Sequence, residues 1–179
     1  MNLLETEKDK FSEKWWDKLS HCFSESYMIN LYKKIEEQNK TFYVLPSSDT
    51  LYKRFKLSDP EDIKVVFLTN KPIISYGQSE ELKIIIHDIH KFNGYPRYID
   101  DLALEGVMHL SVSLTEPYYP EWFYFYKEII KVLNKNGNKI LWIFNEDLDE
   151  DEYNIKLQEG CIKKINNFML KEYKYKINW

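Results

Sequence analysis

Apolar residues recur early in the chain at intervals of three and four: Trp15, Trp16, Leu19, Phe23, Tyr27, Leu31 and Ile35. This spacing puts them on one stripe and predicts a core-facing amphipathic helix from Lys14 onward. Ser47 and Ser48 offer caps for a short helix carrying Leu51 and Phe55, which the turn Ser58-Asp59-Pro60 ends. The period then changes. Ile63 to Leu68 reads Ile-Lys-Val-Val-Phe-Leu, a short β-branched run typical of strands buried on both faces of a parallel sheet. A helical pattern from Gln78 to Lys91 follows, closed by Phe92-Asn93-Gly94-Tyr95-Pro96, and then a second apolar strand over Gly106–Val112. A helix from Pro120 to Leu133, a stop at Gly137 and a third strand over Lys139–Phe144 complete the alternation. Strand, helix, strand, helix, strand predicts an α/β sheet with helices on both faces and a ligand crevice outside the carboxyl ends of the strands. Functional residues are therefore expected after Leu68, Val112 and Phe144.

At 179 residues the chain predicts a single domain, 1–179, with 1–12 expected as a flexible N-terminus. Its 25 cations, of which only Arg54 and Arg97 are arginine, stand against 29 carboxylates, a balance unlike that of a strong phosphate-backbone binder. Six of the seven residues from Glu146 to Glu152 are acidic. Cys22 and Cys161 have no zinc spacing and read as buried thiols, and His87 and His90, three apart, have no evident third ligand, so neither metal nor cofactor is expected. His109 falls inside the second strand and is expected to be a hydrogen-bonded core histidine. No apolar run is long enough to span a bilayer, and the start Met-Asn-Leu-Leu-Glu-Thr-Glu-Lys is charged, so the expectation is a cytoplasmic protein with no membrane partner. The residues Tyr118, Tyr119, Trp122, Phe123, Tyr124, Phe125 and Tyr126 cannot all face one core, which leaves aromatic surface for a partner. Few glycines and many Lys, Ile, Asn and Tyr point to an AT-rich genome, such as that of a phage or mobile element.

Several segments, in order, resemble the family 1 uracil-DNA glycosylases from about Trp16 to Trp179. Asp62-Ile63-Lys64-Val65-Val66-Phe67-Leu68 is similar to the family's D-x-V-K-V-V-I-L strand, and Thr69 to Gln78 stands in the place of its water-activating loop, G-Q-D-P-Y-H-G-P-G-Q. Leu104-Glu105-Gly106-Val107-Met108-His109-Leu110-Ser111-Val112-Ser113-Leu114-Thr115 resembles A-x-Q-G-V-L-L-L-N-x-x-L-T. Gly160-Cys161 and the ending Lys176-Ile177-Asn178-Trp179 resemble G-C-K-H-F and P-I-D-W. The resemblance implies a three-layer α/β/α fold around a mainly parallel four-stranded sheet.

The departures fall on the residues that carry the family's chemistry. Where the resemblance implies a water-orienting aspartate, this chain has Lys71, whose cation would raise the barrier to a developing sugar cation by roughly 1–4 kcal/mol at effective dielectrics between about 80 and 20. Ile73 replaces the tyrosine that excludes thymine, Ile84 the phenylalanine that stacks on uracil, and Ser111 the asparagine that reads its Watson–Crick edge. No H-P-S-P-L loop, which in the family carries the electrophilic histidine and the wedge, lies between Asn145 and Gly160. Thr69, Asn70, Lys71, Ile73, Ile84 and Ser111 thus read as a vestigial pocket with no catalytic residue. The leading expectation is a pseudoenzyme that binds a protein partner such as a small acidic, DNA-mimicking glycosylase inhibitor; Glu146, Asp147, Asp149, Glu150, Tyr118 and Tyr119 are the candidate partner-binding residues, and the acidic ones count against an acidic inhibitor. The alternatives are a weakly DNA-binding, polymerase-processivity accessory protein of a phage or mobile element, and a divergent glycosylase using Asn70.

Overall fold

The computed structural model describes residues 2–70, 87–90, 99–144 and 153–179. Helices α1 (Leu3–Glu7), α2 (Glu13–Leu19), α3 (Ser26–Asn39) and α4 (Lys53–Leu57) precede strand β1 (Val65–Thr69). Then come α5 (Ile99–Leu104), β2 (Val107–Ser111), α6 (Trp122–Lys135), β3 (Leu141–Phe144), β4 (Asn154–Lys156) and α7 (Cys161–Tyr173). The described residues form two compact units, one of 2–61, 70 and 111–136, the other of 62–69, 87–90, 99–110, 137–144 and 153–179.

The helical unit is built on aromatic rings. Phe11 lies 5.6 Å from Phe23, 4.7 Å from Tyr52 and 5.3 Å from Phe55, and Phe125 of α6 reaches Phe23 at 5.7 Å and Phe55 at 6.2 Å, centroid to centroid. The polar ends of its buried rings find partners, as an apolar interior requires. Trp15 Nε1 donates to the Ser58 carbonyl at 2.9 Å, Trp122 Nε1 to Thr115 Oγ1 at 2.7 Å, and the Tyr32 and Tyr52 hydroxyls meet at 2.9 Å. The stripe from Trp15 to Ile35 does not form one continuous helix. Helix α2 ends at Leu19, a 3₁₀ segment runs over Ser20–Ser24, and Glu25 is extended (φ −74°, ψ 145°) before α3 begins. A 3₁₀ turn repeats every three residues, so the apolar spacing persists across a break in the axis.

The sheet unit has strand order β2-β1-β3-β4. β1 runs parallel to β3 with Val65, Val66 and Phe67 opposite Leu141, Trp142 and Ile143, and β3 runs parallel to β4 with Ile143 opposite Ile155. The three strands expected from the sequence are neighbours, within two residues of their expected ends, and β4 is added at the edge. Every residue of β2 is buried, and β1 is buried apart from Leu68, which explains their unbroken apolar runs. Gly106 starts β2 at φ +84°, and its carbonyl accepts from the Lys64 and Val65 N–H groups at 2.8 and 3.1 Å. A Cβ there would lie 2.5 Å from the Asp62 carbonyl oxygen, so this approach requires glycine. Val65, Phe67, Ile143 and Ile155 pack with Ile162, Ile165 and Met169 of α7 in one core. Asn166 Oδ1 accepts from Ile177 N at 3.0 Å and Trp179 Nε1 at 3.2 Å, fixing the C-terminal segment to α7.

Candidate functional site at the strand ends

In a sheet of order 2-1-3-4 the connection leaving β1 runs to one side and the one leaving β3 to the other, so the switch point lies between the carboxyl ends of β1 and β3. Thr69 closes β1 with 4% of its surface exposed, and Asn70, next in the chain, is exposed. On the neighbouring strand Ser111 closes β2 and is 1% exposed. The structure thus places Thr69 and Ser111 at the ends of adjacent strands. None of Thr69, Asn70 and Ser111 carries an ionisable group. Each offers hydrogen-bonding groups only and cannot by itself act as an acid or base near neutral pH.

Two residues before Ser111, His109 is buried, with its ring stacked on Phe67 (centroids 6.2 Å apart, planes at 8°). It belongs to the packed strand pair, which is the core placement expected from the sequence. Beyond β2, Ser113 Oγ donates to the Thr115 carbonyl at 2.6 Å, and Thr115 Oγ1 donates to the Pro117 carbonyl at 3.2 Å while accepting from Trp122. These bonds fix the loop that leads from the end of β2 to α6. In that loop Tyr118 is 58% exposed, and Tyr119 is half-buried beside Lys33 and Lys34 of α3.

Lys71, Ile73 and Ile84, and the acidic residues Glu146, Asp147, Asp149 and Glu150, lie outside the described residues. His87 and His90 are exposed, and among the described residues no group of three or more His, Cys, Asp or Glu side chains could hold a metal ion. No helix among the described residues is long and apolar enough to cross a membrane.

Asp88, between the two exposed histidines, has a role that sequence reading missed. It is 6% exposed, and its two carboxylate oxygens accept the Gly160 and Ile162 N–H groups at 2.8 Å each. The carboxylate thereby satisfies donors at the start of α7, where the helix dipole also favours negative charge. The partners lie more than seventy residues downstream, so no local pattern could announce them. Burial, reinforced by the neighbouring Asp88 charge, pushes the Cys161 thiol up to about 12, and burial pushes Cys22 up to about 11. Neither cysteine is poised as a nucleophile, because the thiolate is the reactive form.

The architecture matches solved structures closely enough to settle the fold. A mimivirus UNG variant in complex with UGI superposes with a TM-score of 0.65 at 17% identity, over 84% of this chain and 70% of that one. The chain has the uracil-DNA glycosylase fold. The mimivirus uracil-DNA glycosylase gives 0.64 at 17% identity over 84% of this chain, and a mutant of the UNG from Nitratifractor salsuginis gives 0.55 at 14% identity over 97% of this chain. Among curated proteins, the uracil-DNA glycosylase of Fusobacterium nucleatum is 25% identical over 187 residues, spanning 90% of this chain and 80% of that protein. The uracil-DNA glycosylase of Clostridioides difficile is 25% identical over 212 residues, 92% of this chain and 95% of its own. No family model matches the chain. These likenesses support the expected α/β glycosylase fold.

Proposed function

We propose that this protein uses the uracil-DNA glycosylase fold for binding a protein partner rather than for excising uracil. The observation that carries the reading is Ser111, the buried last residue of β2. Reading the Watson–Crick edge of a flipped uracil takes a donor and an acceptor held side by side, as on an asparagine amide. A serine offers one oxygen on a shorter stem. The sequence adds Lys71, a cation where the family resemblance implies an anion, so recognition and charge stabilisation weaken together. The partner class we favour is a small acidic protein that mimics DNA. Support comes from the matched fold, which in the mimivirus UNG variant is in complex with UGI.

A second reading, a divergent glycosylase that positions water with Asn70, is favoured by the exposure of Asn70 at the end of β1 and by relatives that bear the name uracil-DNA glycosylase. One experiment separates the two. Purified protein in excess is incubated with single- and double-stranded DNA containing uracil, and abasic sites are counted against a no-protein control. The binding reading expects no excess. Excision that disappears in Asn70→Ala establishes the second reading instead. In parallel, titration with UGI and with duplex DNA at low and physiological salt should show tighter, salt-resistant binding to the protein. Salt-resistant DNA binding with no UGI binding overturns the partner assignment.

A further inference from the structure

Helix α6 ends at Lys135, followed by Asn136 and Gly137. Asn136 closes the helix through a long bond, its N–H donating to the Leu133 carbonyl at 3.4 Å, and its side-chain Nδ2 is buried without an acceptor among the described residues. A buried donor with no acceptor lacks the bond that would hold the amide in place. Gly137 is exposed at φ +72°, with nothing within 4 Å of the position a Cβ would take. Its N–H meets no backbone acceptor among the described residues, whereas a left-handed glycine after a helix commonly returns this group to a carbonyl of the last turn. An untied amide nitrogen thus follows an untethered side-chain amide, at a helix end, where local opening costs least.

We propose that Asn136–Gly137 is a site of spontaneous deamidation, which converts position 136 to aspartate and isoaspartate and weakens the end of α6. The Gly137 nitrogen gives its proton to solvent base and attacks Asn136 Cγ. The N–Cγ bond forms, the Cγ–Nδ2 bond breaks, and ammonia leaves with a proton taken from water. Water then opens the cyclic imide at either carbonyl. Opening at Cγ leaves aspartate in the ordinary chain, and opening at the backbone carbonyl leaves isoaspartate, with the chain running through the side chain. The net change consumes water and releases ammonia, with nothing oxidised or reduced.

Other asparagines are held. Asn39 Oδ1 accepts from Val44 N at 2.8 Å, Asn138 Nδ2 donates to the Ile63 carbonyl at 3.4 Å, and Asn166 Oδ1 accepts from Ile177 N and Trp179 Nε1. Each is also followed by a residue with a side chain, Lys40, Lys139 and Asn167, which crowds the attacking nitrogen as glycine does not. The product carries a carboxylate at the C-terminal end of α6, where the helix dipole disfavours negative charge, and isoaspartate adds a carbon to the backbone at the same point. This chemistry is independent of whether the strand-end site excises uracil.

The test is incubation of the full chain for several days at neutral and mildly alkaline pH, then digestion with a glutamyl endopeptidase and mass spectrometry against an unaged sample. The peptide 129–146 holds Asn134, Asn136, Asn138 and Asn145, while the second Asn-Gly pair, Asn93-Gly94, lies outside the described residues and is read in a separate peptide. The expected result is the mass gain of amide-to-acid conversion on Asn136 ahead of its neighbours, faster at the higher pH, with isoaspartate detected by an isoaspartyl methyltransferase. Gly137→Ala should convert at least about tenfold more slowly, a barrier higher by about 1.4 kcal/mol, and Asn136→Gln should not convert at this position. Asn136→Asp, which carries the charge from the start, should melt at a lower temperature than the wild type. The site is overturned by no gain on Asn136 while the urea-unfolded chain converts, by an equal gain on Asn134 or Asn138, or by a folded Gly137→Ala that converts as fast as the wild type. An unchanged melt of Asn136→Asp overturns the weakening of α6.

Discussion

At the end of β2, burial limits which side chains the strand accepts. Ser111 is 1% exposed, so an asparagine there must displace its neighbours before it can project an amide. Ser111→Asn is expected to lower stability by about 1–3 kcal/mol through overpacking, with no uracil excision gained. A thermal melt and the abasic-site assay check the two parts, and a stable variant that excises uracil contradicts both. The cysteines illustrate the same control by burial. With thiols pushed up to about 11 and about 12, Cys22 and Cys161 should resist a thiol-reactive disulfide reagent at pH 8 and react together once denaturant is added. Fast labelling of either in the folded protein would show that its burial is transient.

Between elements, single contacts carry much of the order. Asp88→Ala removes the acceptor for two N–H groups at the start of α7, and a loss of about 1.5–3 kcal/mol is expected, seen as a lower denaturation midpoint with unchanged slope. Gly106→Ala forces an L side chain to φ +84° against the Asp62 carbonyl and should cost at least about 2 kcal/mol. The legibility of these features in the sequence follows their range. β1, β2 and β3 were readable because strands buried on both faces need unbroken apolar runs, and the ends so read, Leu68 and Val112, each lie one residue from the observed ends Thr69 and Ser111. β4 was not, because an edge strand of three residues with only Ile155 buried leaves no periodic trace. The break between α2 and α3 was hidden because a 3₁₀ turn preserves the spacing of the stripe. Asp88 was hidden because what it holds is distant in sequence, and its neighbours His87 and His90 suggested only a solvated face.

At the scale of the whole chain, the buried acids set how the fold responds to alkali. Burial raises Cys22, Tyr27, Tyr32 and Tyr52 in the helical unit above their ordinary values, and the Tyr32–Tyr52 hydroxyl pair adds to the shift of Tyr32. In the sheet unit, burial raises Cys161 and Tyr173. Each of these groups is neutral when protonated and, in the unfolded chain, loses its proton near its ordinary value of 9.0 for cysteine or 10.0 for tyrosine. Above those values the unfolded chain binds fewer protons than the folded one, so stability falls as pH rises. The contribution is complete below about pH 9 and drains away as pH climbs toward the folded values, with tyrosine joining cysteine above about pH 10. Urea midpoints measured from pH 7 to pH 11 should therefore hold level at first and then decline, and tyrosinate absorbance should rise with unfolding rather than ahead of it. A midpoint that stays level to pH 11, or tyrosinate that forms fully in the folded protein, would show that the Tyr32–Tyr52 core admits solvent.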